Sequence, residues 1–220
     1  MAEAELAAVP FRREERPTWR GLIHEWSIGP AAALGLLVVV TSSGILARVA
    51  LGIQALGLVA LLTSSAVYHR HVHSEEAVLR ARRLDHSMIF VLIAATYTPV
   101  CLLALSPVIG VPLLVAMWGA AIVGAVLKLT RLSVDGSVAS WLYSVMGWAA
   151  VLVVVPLWRS LGWERLGLYA LGGLIYTAGG VVLLLRRPNP SPTHFGYHEI
   201  WHVCVVLAAA VQLWAASGLA

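Results

Sequence analysis

Charge is scarce in this sequence. Of its 220 residues only 12% are Asp, Glu, Lys or Arg, while 60% are hydrophobic and mean hydropathy is +0.83. Soluble domains carry about 25% charged residues, so a water-soluble globular class is excluded. Cysteine is nearly absent as well. Cys101 and Cys204 are the only two, which excludes a disulfide-stapled scaffold. An early apolar core with a small-residue cleavage site is also missing from "MAEAELAAVPFRREERPTWR", so no signal peptide is read there. Residues 1–27 are expected to be a retained cytoplasmic tail, with a short interfacial helix around "TWRGLIHEW". No soluble domain and no internal repeat stand out.

What fills the rest is apolar runs of about 20 residues, the length at which an α-helix crosses a hydrocarbon core about 30 Å thick. Seven such spans are predicted, at 28–47, 49–69, 86–105, 107–127, 138–158, 166–185 and 198–219, within a transmembrane domain covering 28–220. The first two are separated only by Arg48 in "ARVALG". The loops carry turn chemistry, as in "LSP", "VDGS" and the Pro-rich "RRPNPSPTHFG". Glycines such as Gly172, Gly173, Gly179 and Gly180 in "LGGLIYTAGG" suit close helix approach. Cys101 and Cys204 fall near opposite ends of their spans, at depths differing by about 15 Å, so they are read as small buried apolar residues rather than a pair.

Orientation follows from the cations. With the N-terminus inside, inner segments hold Arg12, Arg13, Arg16, Arg20, Arg70, Arg80, Arg82, Arg83, Lys128, Arg131, Arg186 and Arg187, and outer loops hold Arg48, Arg159 and Arg165. Twelve against three predicts an N-terminus in the cytoplasm and a C-terminus outside. The fold class expected is therefore all-α, an integral membrane bundle of seven helices. The net charge of +4 reflects this topology and calls for no nucleic-acid partner. Trp19, Trp26, Trp141, Trp158, Trp163 and Trp214 lie near span ends, where an amphipathic ring suits the interface.

The informative residues are the ionisable ones at span ends. "SSAVYHRHVH" sets Ser65 and His69 at i, i+4; "RRLDHSMIF" supplies Asp85 and His86; "YHEIWH" sets His198 and His202 at i, i+4. Under the topology above, Ser65, His69, Asp85, His198 and His202 meet at one cytoplasmic depth. Three neutral imidazoles suit a divalent metal, zinc first, with the fourth position left for a water that zinc acidifies. Fe²⁺ and Mn²⁺ accept the same ligands. Asp85 then takes or holds a proton, and Ser65 contacts the water or a substrate oxygen. Ionisable groups near lipid are expensive and usually functional. His71 and His73 are read as solvated, His86 as orienting a neighbour, and His24 and His194 as unremarkable tail and loop residues. "HEIWH" matches the zincin pattern literally, yet it opens a membrane span, and Glu199 is expected to point away from the histidine face, about 100° round the helix.

Together, "SSAVYHR", "RRLDHSMIFVLIAATYTPV", "LYSVMGW" and "RRPNPSPTHFGYHEIWH" resemble the hemolysin III family, bacterial members of the progestin and adipoQ receptor superfamily. The resemblance covers almost the whole chain after the tail. It implies a seven-helix bundle in the bacterial plasma membrane with a zinc ion near its cytoplasmic face. Its ligands would be His69, His198 and His202, with Asp85 contacting zinc through water and Ser65 alongside. Adiponectin receptors and the related alkaline ceramidases extend the implication to hydrolysis of a lipid amide. Two readings stay open: a zinc-dependent hydrolase of a lipid amide or ester, with a membrane lipid as its substrate, or a non-enzymatic sensor, regulator or haemolytic protein in which zinc is structural.

Overall fold

The computed structural model describes residues 17–130 and 137–219. The charged tail up to residue 16 and most of the turn "VDGS" lie outside the described residues. The chain forms α1 (Leu22–Thr41), α2 (Ile45–Ala66) running into a π-helical turn at Val67–His71, and α3 (Glu75–Pro99) running into a second π turn at Val100–Ala104. After these come α4 (Pro107–Thr130), α5 (Ser137–Trp148), a 3-10 turn at Ala149–Val153, α6 (Val154–Leu185) and α7 (Tyr197–Ser217). The described residues contain no strand beyond one isolated bridge between Ser191 and Phe195. The all-α class holds.

Among the described residues, six stretches are long and apolar enough to cross a membrane: Leu22–Thr41, Ile45–His71, Glu75–Ala104, Pro107–Thr130, Trp141–Leu185 and Tyr197–Ser217. The predicted fifth and sixth spans run together as one 45-residue stretch. Within that stretch the helix is broken at Gly162, whose backbone leaves helical geometry (φ 69°, ψ 179°), so α6 consists of two helices joined at a kink. The boundary between the first two spans also moves. The break falls at Ser42–Gly44, not Arg48, because Ser42 leaves α1 in an extended conformation and Gly44, which precedes α2, takes the positive φ (85°) that favours glycine. Arg48 lies inside α2, its Nε donating to the Ser42 carbonyl at 3.1 Å. At the other end, α3 begins at Glu75, eleven residues before the predicted start, capped by Ser74, whose Oγ accepts the Ala77 N–H.

α3 is the centre of the bundle. Its span is 56% buried, against 17% for α1, and it packs between α2 and α4, with contacts to α5 and α7. α7 packs on α6, α1 and α2 and closes the circuit. Leu58, Leu61 and Leu62 of α2 meet Leu92 of α3 and Val205 and Ala209 of α7 in one core cluster. A second, built on Phe90, Tyr97, Met117 and Met146, joins α3, α4 and α5. Outside, Leu36, Val108, Ile122, Leu152 and Leu184 stay exposed. This apolar exterior around small and polar interior positions is the pattern of a lipid-facing surface. The protein is a multi-pass membrane protein.

Arg165 donates to the Ala215 carbonyl near the C-terminal end of α7. The loop 191–195 and the N-terminal end of α7 lie together at the opposite end of the bundle, where the site forms.

Candidate metal centre

α2 does not simply stop. Its last turn widens into the π turn Val67–His71, which carries His69; such turns re-aim one side chain and recur at functional sites. α7 starts at Tyr197, so His198 and His202 occupy its first two turns on one face. His69 and His202 are buried at 7% and 2% exposure, and His198 is half-buried. The His69 ring centroid lies 5.1 Å from those of both His198 and His202, which are 4.7 Å from each other.

One ligand atom from each histidine lies within 4.8 Å of the others. An ion bound at about 2 Å to each nitrogen would draw the donors closer together than this upper bound. The buried Nδ1 of His202 has no hydrogen-bond partner among the described residues, a cost that a cation or its solvent would remove. The donor set fits a divalent metal ion.

Asp85 sits in the third turn of α3, buried, near the Ser65 hydroxyl of α2. Ser65 is one turn before His69 on α2. The carboxylate of α3 thus lies near the helix end that carries His69, outside the three clustered donors. A cavity of about 430 Å³ opens between the end of α2 and the first turns of α3, lined by Ser64, Val67, Ala77, Arg80, Ala81 and Leu84.

The remaining expectations divide. His86 lies beside Arg82 and Lys128, toward α4, and its carbonyl accepts the Tyr143 hydroxyl at 2.8 Å. His73 and His194 are exposed. His71 is exposed but has a partner, its Nε2 lying 2.9 Å from a Glu25 carboxylate oxygen. Glu199 does turn from the three histidines and is the most deeply buried acid, with 0% exposure. One oxygen accepts Arg20 Nε at 2.5 Å and the other the Gly196 N–H at 2.8 Å.

His24 was missed. It belongs to α1, not to a tail, is 2% exposed, and stacks on His202 with centroids 3.9 Å apart and ring planes 18° apart. A signal existed: Arg20 and His24 stand at i, i+4 immediately before an apolar run, the spacing that singles out His198 and His202.

Comparison with known proteins decides the family. The model of the family described as "Haemolysin-III related" matches residues 12–213. The chain belongs to the hemolysin III family. The Hemolysin-3 homolog of Bacillus subtilis (strain 168) is 33% identical over 160 residues, covering 73% of this chain and 72% of that protein. Hemolysin-3 of Bacillus cereus is 30% identical over 166 residues, 76% of this chain and 73% of its own. More distant is the Homo sapiens monocyte to macrophage differentiation factor, 29% identical over 199 residues, covering 87% of this chain and 79% of that protein. These matches also support the expected superfamily, that of the progestin and adipoQ receptors. Every residue of the histidine group lies within the matched region of this hemolysin III chain.

Proposed function

We propose that this hemolysin III protein is a zinc-dependent membrane hydrolase that cleaves an amide or ester bond of a lipid from the cytoplasmic side. The observation that carries the reading is the convergence of His69, His198 and His202, with Ser65 and Asp85 near one another on the adjoining turns of α2 and α3. When bound, zinc supplies a Lewis acid that acidifies water and polarises a carbonyl.

The chain's own residues do the rest. The three imidazoles would hold the ion as neutral nitrogen donors. Asp85 accepts the proton that the attacking water releases and returns it to the departing amine or alcohol as the carbonyl–nitrogen or carbonyl–oxygen bond breaks. Ser65 orients Asp85 from the facing turn of α2. The cavity between α2 and α3, apolar except for Ser64 and Arg80, has walls suited to an acyl chain. Glu199, with both oxygens engaged, is not the base.

The same reading includes seven crossings, with the N-terminus in the cytoplasm of a bacterial plasma membrane. A single helix from Trp141 to Leu185 would be about 67 Å long, more than twice the hydrocarbon thickness. The break at Gly162 and the reach of Arg165 to the far end of α7 support a turn there. The twelve-to-three distribution of Lys and Arg supports the orientation, and the Bacillus relatives support the membrane.

The test is metal analysis and fatty-acid release by purified protein over a panel of ceramides, phospholipids and acylglycerols. His202→Ala is expected to lose the metal. Asp85→Asn is expected to keep it while release falls about 10²- to 10⁴-fold. Metal-loaded protein that releases no fatty acid from any lipid, or an ion held by four protein donors, sinks the hydrolase reading in favour of structural zinc.

A further inference from the structure

Residues 17–25 cross the metal centre, touching both helix ends that form it. Thr18 N–H donates to the Thr193 carbonyl at 3.0 Å and Trp19 N–H to that of His194 at 3.2 Å, which tethers the segment to the loop before α7. Arg20 then pairs with Glu199, the residue beside His198, at 2.5 Å. Gly21 passes directly over His69: a Cβ there would lie 2.5 Å from the Cβ of His69, and the backbone is left-handed at φ 78°. Glu25 closes the crossing on α2, one oxygen 2.5 Å from Arg70 Nε and the other 2.9 Å from His71 Nε2. Those two residues follow His69 in the π turn.

His24 lies between these anchors. It meets His202 face to face, with planes only 18° apart, so its lone pairs lie in a plane parallel to that of His202 instead of converging with it. Accordingly it is not one of the three clustered donors. Its contribution to His202 is a flat surface that fixes the ring, since stacked rings resist tilting and rotation about χ2. Burying Arg20 against a carboxylate with 0% exposure makes sense where the pair fixes geometry, because desolvation absorbs much of its Coulombic gain.

We infer that residues 17–25 are a clasp for the metal centre, in which Arg20 and His24 act as positioning residues that hold the histidine-bearing ends of α2 and α7 in register; this rests on the metal-binding reading above. The physical basis is preorganisation. The ligands come from two helices, and an ion that must first bring those ends together binds more weakly and leaves faster than one entering a site already assembled. Residues that orient ligands without binding the metal typically change affinity about 10- to 100-fold when removed.

The experiment uses full-length protein in lipid nanodiscs, loaded with Zn²⁺ or Co²⁺. Release to a chelator, the visible spectrum of the cobalt form and the thermal midpoint of each metal-free variant are measured. His24→Ala and Gly21→Ala are expected to release metal about 10- to 100-fold faster and to alter the cobalt spectrum. His24→Phe, which keeps a flat ring, and Arg20→Lys, which keeps the charge, should restore behaviour close to the parent. Gly29→Ala, with nothing within 4 Å of the added Cβ, is the control. A His24→Ala protein with the parent rate and spectrum overturns the clasp. So does a His24→Phe protein as impaired as His24→Ala, which would make the ring nitrogens, and not the stack, the active feature. A parent protein that takes up no divalent ion overturns the metal centre itself and the clasp with it, whereas a metal-binding parent with indistinguishable variants overturns the clasp alone.

Discussion

Glu199 stands between two candidate ligands in a motif that elsewhere marks a protease base, and its surroundings commit it to another task. One oxygen closes the first turn of α7 by accepting the Gly196 N–H, and the other holds Arg20. Substituting Glu199→Gln keeps an acceptor for the cap but leaves the guanidinium without its counter-charge. We expect a loss of about 2 kcal/mol in unfolding free energy, below the range for a fully buried pair because the Arg20 side chain keeps 17% exposure; reversible unfolding in mixed micelles measures it. A change smaller than that of an ordinary surface substitution would show that the cap alone carries Glu199. At this scale the sequence revealed much. The grouping of His69, His198 and His202 was legible because i, i+4 spacing and position at span ends are properties of the chain itself. His24 was not read with them: its i, i+4 spacing from Arg20 is a local signal, but only packing on His202 distinguishes a histidine bound for burial from one in a polar tail.

Among the elements, the pairing of α6 with α7 shows how small residues decide helix approach. A Cβ added at Gly172 would fall 2.6 Å from Gln212, and one at Gly179 would fall 2.6 Å from Cys204, whereas Gly173 and Gly180 face open space. Gly172→Leu and Gly179→Leu are therefore expected to destabilise the protein by about 1–3 kcal/mol each through overpacking, and Gly173→Leu and Gly180→Leu to be near neutral, in the same unfolding assay. Equal effects within the two pairs would contradict the packing register. The sequence marks all four glycines alike, since composition carries no phase. Element ends were misread for a related reason. The start of α3 at Glu75 depends on the Ser74 cap and the Glu76–Arg80 pair, local chemistry that lies outside the apolar run and so outside a reading based on hydropathy.

For the molecule as a whole, the Gly162 break determines whether the stretch from Trp141 to Leu185 crosses twice. In a background with Cys101 and Cys204 replaced by Ser, Ser160→Cys is expected to react with a membrane-impermeant maleimide added to intact cells. Ser74→Cys is expected to react only after the cells are opened. The reverse pattern would invert the proposed topology, and protection of both positions would remove the outward turn at Gly162. The apolar exterior and the small, polar-containing interior are two aspects of one solvent problem. Lipid accepts Leu36, Val108 and Leu184 at the surface, so buried volume is free for the polar residues that a soluble core of this size would rarely hold.

The sequence alone determined the membrane class, the family and the residue types available for chemistry, because each depends on composition, run length or spacing along one chain. Tertiary structure decided which of these residues meet. The stack of His24 on His202, the approach of Gly21 to His69 and the pair of Arg20 with Glu199, 179 residues apart, depend on how α1 lies across the ends of α2 and α7. That docking results from many small packing contacts acting together, and no single stretch of sequence contains it.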